Sequence, residues 1–158
     1  NNDVLVGSGS PGYTTGLPQD GYTGQARLRD LWIWMESQET TMISPRMFSR
    51  FFLPYMADVA RRFGLVYYGC CEPVHGRWHV ISRIPNLRSV SVSPWADEEA
   101  MAEACAGRCV YSRKPSPAAI STGVFDEPAI RAGLRRTAEI DPGRCRAHGK
   151  NPAIRTAG

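Results

Sequence analysis

Three observations predict an α/β fold built on a parallel sheet. Short β-rich runs start at residues 65, 87 and 108, about 22 residues apart, the pitch of repeating βα units. Segments of helical character separate these runs. Each run also ends in conspicuous residues: Cys70-Cys71-Glu72 after the first, Pro94-Trp95 after the second, Arg113-Lys114 after the third. In parallel α/β proteins the carboxyl ends of the strands are where chemistry is placed. The connections should be right-handed. Alternation alone does not separate a closed barrel from an open, doubly wound sheet.

Taken in order, DVLVG at residues 3–7 reads as a strand, and an opening Asn1-Asn2-Asp3 without methionine reads as a piece of a longer protein. Residues 7–25, rich in Gly, Ser, Thr and Pro, read as loop and contain no phosphate-binding G-x-x-x-x-G-K-[ST]. The run LRDLWIWM at 28–35 is apolar, but periodicity does not fix its type; it ends in the polar cluster Glu36 to Thr41. Ser44-Pro45 is a strong helix start, serine as N-cap and proline in the first turn. Met47, Phe48, Phe51, Tyr55, Met56, Val59 and Phe63 then recur at helical spacing, with Pro54 expected to kink the helix and Gly64 to stop it. Strand 65–69, helix 74–83, strand 87–93, helix 98–106, strand 108–112 and helix 126–140 follow. The chain divides into an α/β domain over 1–140 and an irregular basic tail over 141–158.

Composition bounds the function. A chain of 158 residues, 42% hydrophobic and 22% charged, has the make-up of one globular domain. No apolar run approaches the roughly 18 residues of a membrane span, and no basic-then-apolar leader is present, so neither a membrane partner nor export is expected. From Arg131 onward seven basic residues face Glu139 and Asp141, which concentrates the net charge of +4 in the tail. Without interleaved aromatics this reads as a solvated tail and not as a nucleic-acid surface. Five cysteines (70, 71, 105, 109, 145) make an odd set with no disulfide framework; reduced thiols in a cytoplasmic protein are expected.

The candidate site residues lie at strand ends. Alternation along an extended strand would place Tyr68, Cys70 and Glu72 on one face, with Tyr67 and Cys71 on the other. One thiol and one carboxylate could then converge, whereas adjacent thiols would point apart and not chelate one ion. Cys70 and Cys71 read either as small buried hydrophobes or as functional thiols. Further donors for a metal would come from His79, Cys145 or His148. Glu36, at the end of the 28–35 run, suits a general acid or base, or is a solvated loop glutamate. Arg113 and Lys114 could clamp a carboxylate or phosphate, or form a surface pair. Trp95 could floor a pocket for a flat ligand or pack in the core. Cys105 and Cys109 read as core residues, and His75 as a loop histidine near the cysteine strand. No G-x-S-x-G, H-E-x-x-H or C-x-x-C motif occurs.

The stretch ISPRMFSRFFLPYMADVARRFGL, followed by a strand ending in a thiol, resembles the uroporphyrinogen decarboxylase superfamily, which includes the methylcobalamin:coenzyme M methyltransferases. The recurrent pattern there is an "SPEMF…PY" helix and then a strand ending in H-x-C-G. The likeness runs from about Trp32 to Asp126, and YGCCEP, IPNLRSVSVSPWAD and VYSRKPSP resemble a decarboxylase-like subgroup. It implies a (β/α)8 TIM-barrel, of which this chain is the C-terminal half, acting on a small-molecule substrate. Cys70 matches the thiolate that binds zinc in the methyltransferases. Tyr68 stands where they have histidine, Glu72 could substitute as an oxygen donor, and Cys145 lies near the place of the second thiolate. The resemblance implies methyl transfer assisted by a metal-bound thiolate, with a methyl-corrinoid on a partner protein as co-substrate. Its rivals are metal-free decarboxylation of a porphyrinogen and an inactive or binding-only half-barrel. A half-barrel would expose sheet edges and apolar surface and so favour a homodimer.

Overall fold

The structure, a computed structural model, describes Thr14, residues 16–121 and residues 123–141. The strand expected at 3–7 and the tail carrying Cys145 and His148 lie outside the described residues. Among the described residues four strands form one sheet: β1 (Trp32–Met35), β2 (Leu65–Tyr68), β3 (Leu87–Val92) and β4 (Val110–Arg113). All pairings are parallel, and the order β1-β2-β3-β4 follows the chain. The helices among the described residues are α1 (Pro45–Phe51), α2 (Leu53–Ala60), α3 (Trp78–Ile81), α4 (Glu98–Cys105), α5 (Pro117–Ile120) and α6 (Glu127–Ile140). The expected α/β class with a parallel sheet is what the chain forms. The unsettled run 28–35 becomes a 3-10 turn (Leu28–Asp30) followed by β1.

Local chemistry sets the helix boundaries. The Ser44 hydroxyl accepts the Met47 N–H at 3.2 Å and Pro45 occupies the first turn, as the sequence predicts. Pro54 has no N–H to continue the ladder, and the helix divides at Phe52 into α1 and α2. Asp97 and Asp126 cap α4 and α6 through the N–H groups of Ala100 and Ala129, at 2.9 and 3.0 Å. The helix expected at 74–83 is shorter: a 3-10 turn at His75–Arg77 leads into the single turn of α3. Gly64 plays a different part from the helix stop assigned to it, since α2 already ends at Ala60. A Cβ at Gly64 would run into the Arg29 carbonyl, so glycine permits the backbones to approach there. The C-terminal carbonyls of this helical turn, Ala60 and Phe63, are taken by the Asn86 amide at 3.2 and 2.8 Å.

Alternation along the strands gives the sheet two faces. Val66, Tyr68, Val90, Val92 and Tyr111 pack under the helices with Phe48, Leu53, Ile81, Met101 and Cys105 in the main core. The opposite face carries Trp32 and Tyr67, which pack with Leu17 in a smaller cluster. Cys109 is buried, as expected, but precedes β4 instead of lying within it. The apolar stripe expected to bury α1 and α2 does so fully at Phe48 and partly at Met56. Leu53, Ala57 and Ala60 supply most of the buried face, whereas Met47, Phe51, Tyr55 and Val59 are exposed. Among the described residues no helix is long and apolar enough to cross a membrane.

Candidate active site

Strand β2 ends at Tyr68 because Gly69 adopts φ +97°, a left-handed conformation that costs a residue with a Cβ about 1–3 kcal/mol. The space is also closed: a Cβ there would lie 3.2 Å from the Ser91 Cβ. This kink overturns the expectation drawn from strand alternation. Cys70 and Cys71 do not point to opposite faces; their sulfurs lie 3.7 Å apart, Cys70 half-buried and Cys71 exposed. Glu72, expected beside Cys70 on one face, turns inward and is only 2% exposed.

The backbone around the two thiols is held from three neighbouring segments. The Gly69 N–H donates to the Met35 carbonyl at 2.8 Å, and the Trp34 indole donates to the Gly69 carbonyl at 3.0 Å. The Ser91 hydroxyl donates to the Cys70 carbonyl at 2.8 Å. The Glu72 carboxylate accepts the Cys70 N–H at 2.8 Å and the Ser37 N–H at 3.3 Å, joining the ends of β1 and β2. The Gln38 side chain accepts the Cys71 N–H at 3.3 Å. The turn that carries Glu36 to Thr40 is itself braced by buried Arg77. Its guanidinium donates to the Thr40 carbonyl and hydroxyl, each at 2.7 Å, and sits 4.7 Å over the Phe48 ring. The Ser37 hydroxyl also pairs with the Tyr68 phenol, whose pKa burial pushes up to about 12.

Three reactive side chains meet at Cys70. Burial pushes its thiol up to about 11, with hydrogen bonds to Glu36 and Cys71 acting in the same direction. The Lys114 ammonium, 4.0 Å from the sulfur, pulls the other way. Cys70 is therefore a thiol at neutral pH, with a carboxylate placed to accept its proton and a cation placed to stabilise the thiolate that results.

The sequence-predicted residues thus divide. Cys70, Glu36 and Lys114 come together at the carboxyl edge of the sheet. Glu72 lies beneath them, both oxygens engaged by backbone N–H groups. Arg113 does not join Lys114 in a clamp: it extends toward α6, where a Cβ on Gly133 would meet its guanidinium at 3.1 Å. Trp95 follows β3 at the same edge and is 65% exposed, so it does not pack in the core. The His75 ring accepts the Asp97 N–H at 3.2 Å and so joins the loop after β2 to the cap of α4. Cys145 lies outside the described residues. Sequence reasoning missed Trp34, Ser37, Gln38, Arg77 and Ser91 as positioning residues. The glycine between strand and thiols is a strand-breaking signal and could have pointed to them.

The zinc donors implied by the resemblance do not assemble among these residues. Glu72 is committed to the backbone, and no group of three or more His, Cys, Asp or Glu side chains is placed to hold a metal ion among the described residues. What Cys70, Glu36 and Lys114 offer by themselves is proton transfer and a thiolate nucleophile. Comparisons with protein families, curated proteins and solved structures gave no match. The fold and the site define an α/β domain with a sequentially ordered parallel sheet and a thiol centre at its carboxyl edge.

Proposed function

We propose that this chain belongs to a uroporphyrinogen decarboxylase-like enzyme with a (β/α)8 barrel, and that it catalyses methyl transfer from a methyl-corrinoid to sulfur at Cys70. One observation carries the reading: Cys70, Glu36 and Lys114 meet above a backbone fixed by the ends of β1, β2 and β3. The sequential strand order supports a barrel, in which successive βα units are neighbours. In the proposed step Glu36 accepts the thiol proton and Lys114 stabilises the emerging thiolate. The sulfur lone pair forms the new bond to the methyl carbon as the carbon–cobalt pair stays on the corrinoid. Trp95, exposed at the same edge, offers a flat face to that ring system.

The rival reading, porphyrinogen decarboxylation, needs cations to hold substrate carboxylates. Lys114 alone of the adjacent pair reaches the thiol site, which favours methyl transfer. Demethylation of methylcobalamin, followed by its visible spectrum in the wild type and in Cys70→Ser, separates the two. The proposal expects loss in Cys70→Ser. Equal demethylation by both proteins, or turnover of uroporphyrinogen that survives Cys70→Ser, would remove it.

We further read the exposed Met47, Phe51, Tyr55 and Val59 on α1 and α2 as the surface for the expected homodimer. Sedimentation velocity over a concentration series tests this: a dimer that Phe51→Glu dissociates is expected, and a monomer at all concentrations contradicts it.

A further inference from the structure

We propose that Cys70 and Cys71 together form a dithiol site for an organic trivalent arsenical, a soft centre that takes two thiolates from one protein. The geometry is the argument. Adjacent cysteines on a regular strand would diverge, but the kink at Gly69 brings both sulfurs to one side, 3.7 Å apart. Two bonds of about 2.3 Å, the zinc–thiolate length, meeting at a tetrahedral angle span about 3.8 Å, so this spacing suits a single bridging atom. It is well beyond the roughly 2.05 Å of a disulfide.

Access and rigidity add to this. Cys71 is exposed and Cys70 half-buried, so a ligand can reach both sulfurs, whereas Cys105 and Cys109 are in the core. The N–H groups of both residues and the carbonyl of Cys70 are hydrogen-bonded to Glu72, Gln38 and Ser91. Little backbone freedom remains to be lost on binding, and preorganisation of this kind raises affinity. Soft thiolate donors select soft centres. A tetrahedral metal ion asks four donors of its surroundings, but an organic arsenical brings carbon as its third substituent and asks only two.

The reaction balances without an oxidant or a base. An arsenoso group, R–As=O, and two thiols give R–As(S–Cys)2 and one water. Two As–S bonds form, the two bonds to oxygen break, both thiol protons leave on that oxygen, and arsenic stays trivalent. The site shares Cys70 with the methyl-transfer reading, but the two fail separately, because binding is read by mass and not by turnover.

The test uses phenylarsine oxide with the full chain, intact mass spectrometry, and challenge with excess monothiol or dithiol. One adduct per chain is expected, retained against 2-mercaptoethanol and released by dithiothreitol. Cys71→Ser, at an exposed position that leaves the core untouched, should bind at least about 100-fold more weakly, the scale of a lost second attachment. Cys70→Ser should do the same. Retained binding in either single variant overturns the proposal, as does an adduct that excess monothiol removes from the wild type. Protection by equimolar zinc would assign the pair to a metal ion and overturn it too.

Discussion

Removing the Glu72 carboxylate probes the hidden base of the site. Glu72 is 2% exposed and accepts two backbone N–H groups, from Cys70 at 2.8 Å and from Ser37 at 3.3 Å. Glu72→Ala leaves both donors without their acceptor, at about 1–3 kcal/mol each, the longer bond at the lower end. The space left by the side chain adds to this, giving a total of about 3–5 kcal/mol. Glu72→Gln keeps one acceptor oxygen but turns an amide N–H2 toward the second donor, so about 1.5–3 kcal/mol is expected. Urea unfolding followed by fluorescence measures both. At a slope of about 2 kcal/mol/M, Glu72→Ala lowers the midpoint by about 1.5–2.5 M with the slope unchanged. A loss within about 0.5 kcal/mol, as for an ordinary surface site, would refute the claim that Glu72 holds the ends of β1 and β2 together.

Four further outcomes follow from the same geometry. Gly69→Ala should destabilise by about 1–3 kcal/mol by urea unfolding, because φ +97° and the Ser91 contact both oppose a Cβ. Lys114→Ala removes a cation that lowers the Cys70 pKa, so alkylation by iodoacetamide at pH 8 should be slower than in the wild type. Cys70 and Tyr68 are raised on folding, from 9.0 to about 11 and from 10.0 to about 12. The stability they contribute is complete below pH 9 and declines as pH rises through 11 to 12, which alkaline denaturation would follow. Asp30, held at about 2 by its hydrogen bonds with Arg27, has the opposite sign: the stability advantage of wild type over Asp30→Asn should be present above pH 4 and disappear as pH falls through 2.

The class of fold was legible in the sequence because the strand pitch and the helix punctuation are local signals. Ser44-Pro45 announces a helix start, and Ser44 caps the helix it precedes, as Asp97 and Asp126 cap α4 and α6. The site was legible as a place: strand ends in a parallel sheet gather whatever residues follow them, so Cys70, Glu36 and Lys114 were found. The relations within it were not. Strand alternation is a rule for continuous strands, and one left-handed glycine redirects both Cys71 and Glu72. Arg113 and Lys114 are neighbours in sequence, yet the last residue of β4 faces the helices while the next one faces the thiol. The apolar stripe on α1 and α2 was visible as periodicity, but which of its sides would be covered depended on the break at Phe52. Gln38, Trp34 and Ser91 carry no motif, because their roles exist only through hydrogen bonds between segments 21 to 35 residues apart.

Single-turnover transfer of an isotopically labelled methyl group from a methyl-corrinoid to the protein, located by peptide mass spectrometry, addresses the proposed reaction most directly. The account predicts label on the Cys70 sulfur in the wild type and none on the protein in Cys70→Ser. Label at an undiminished rate in Cys70→Ser, or no label on Cys70 in the wild type, would contradict it.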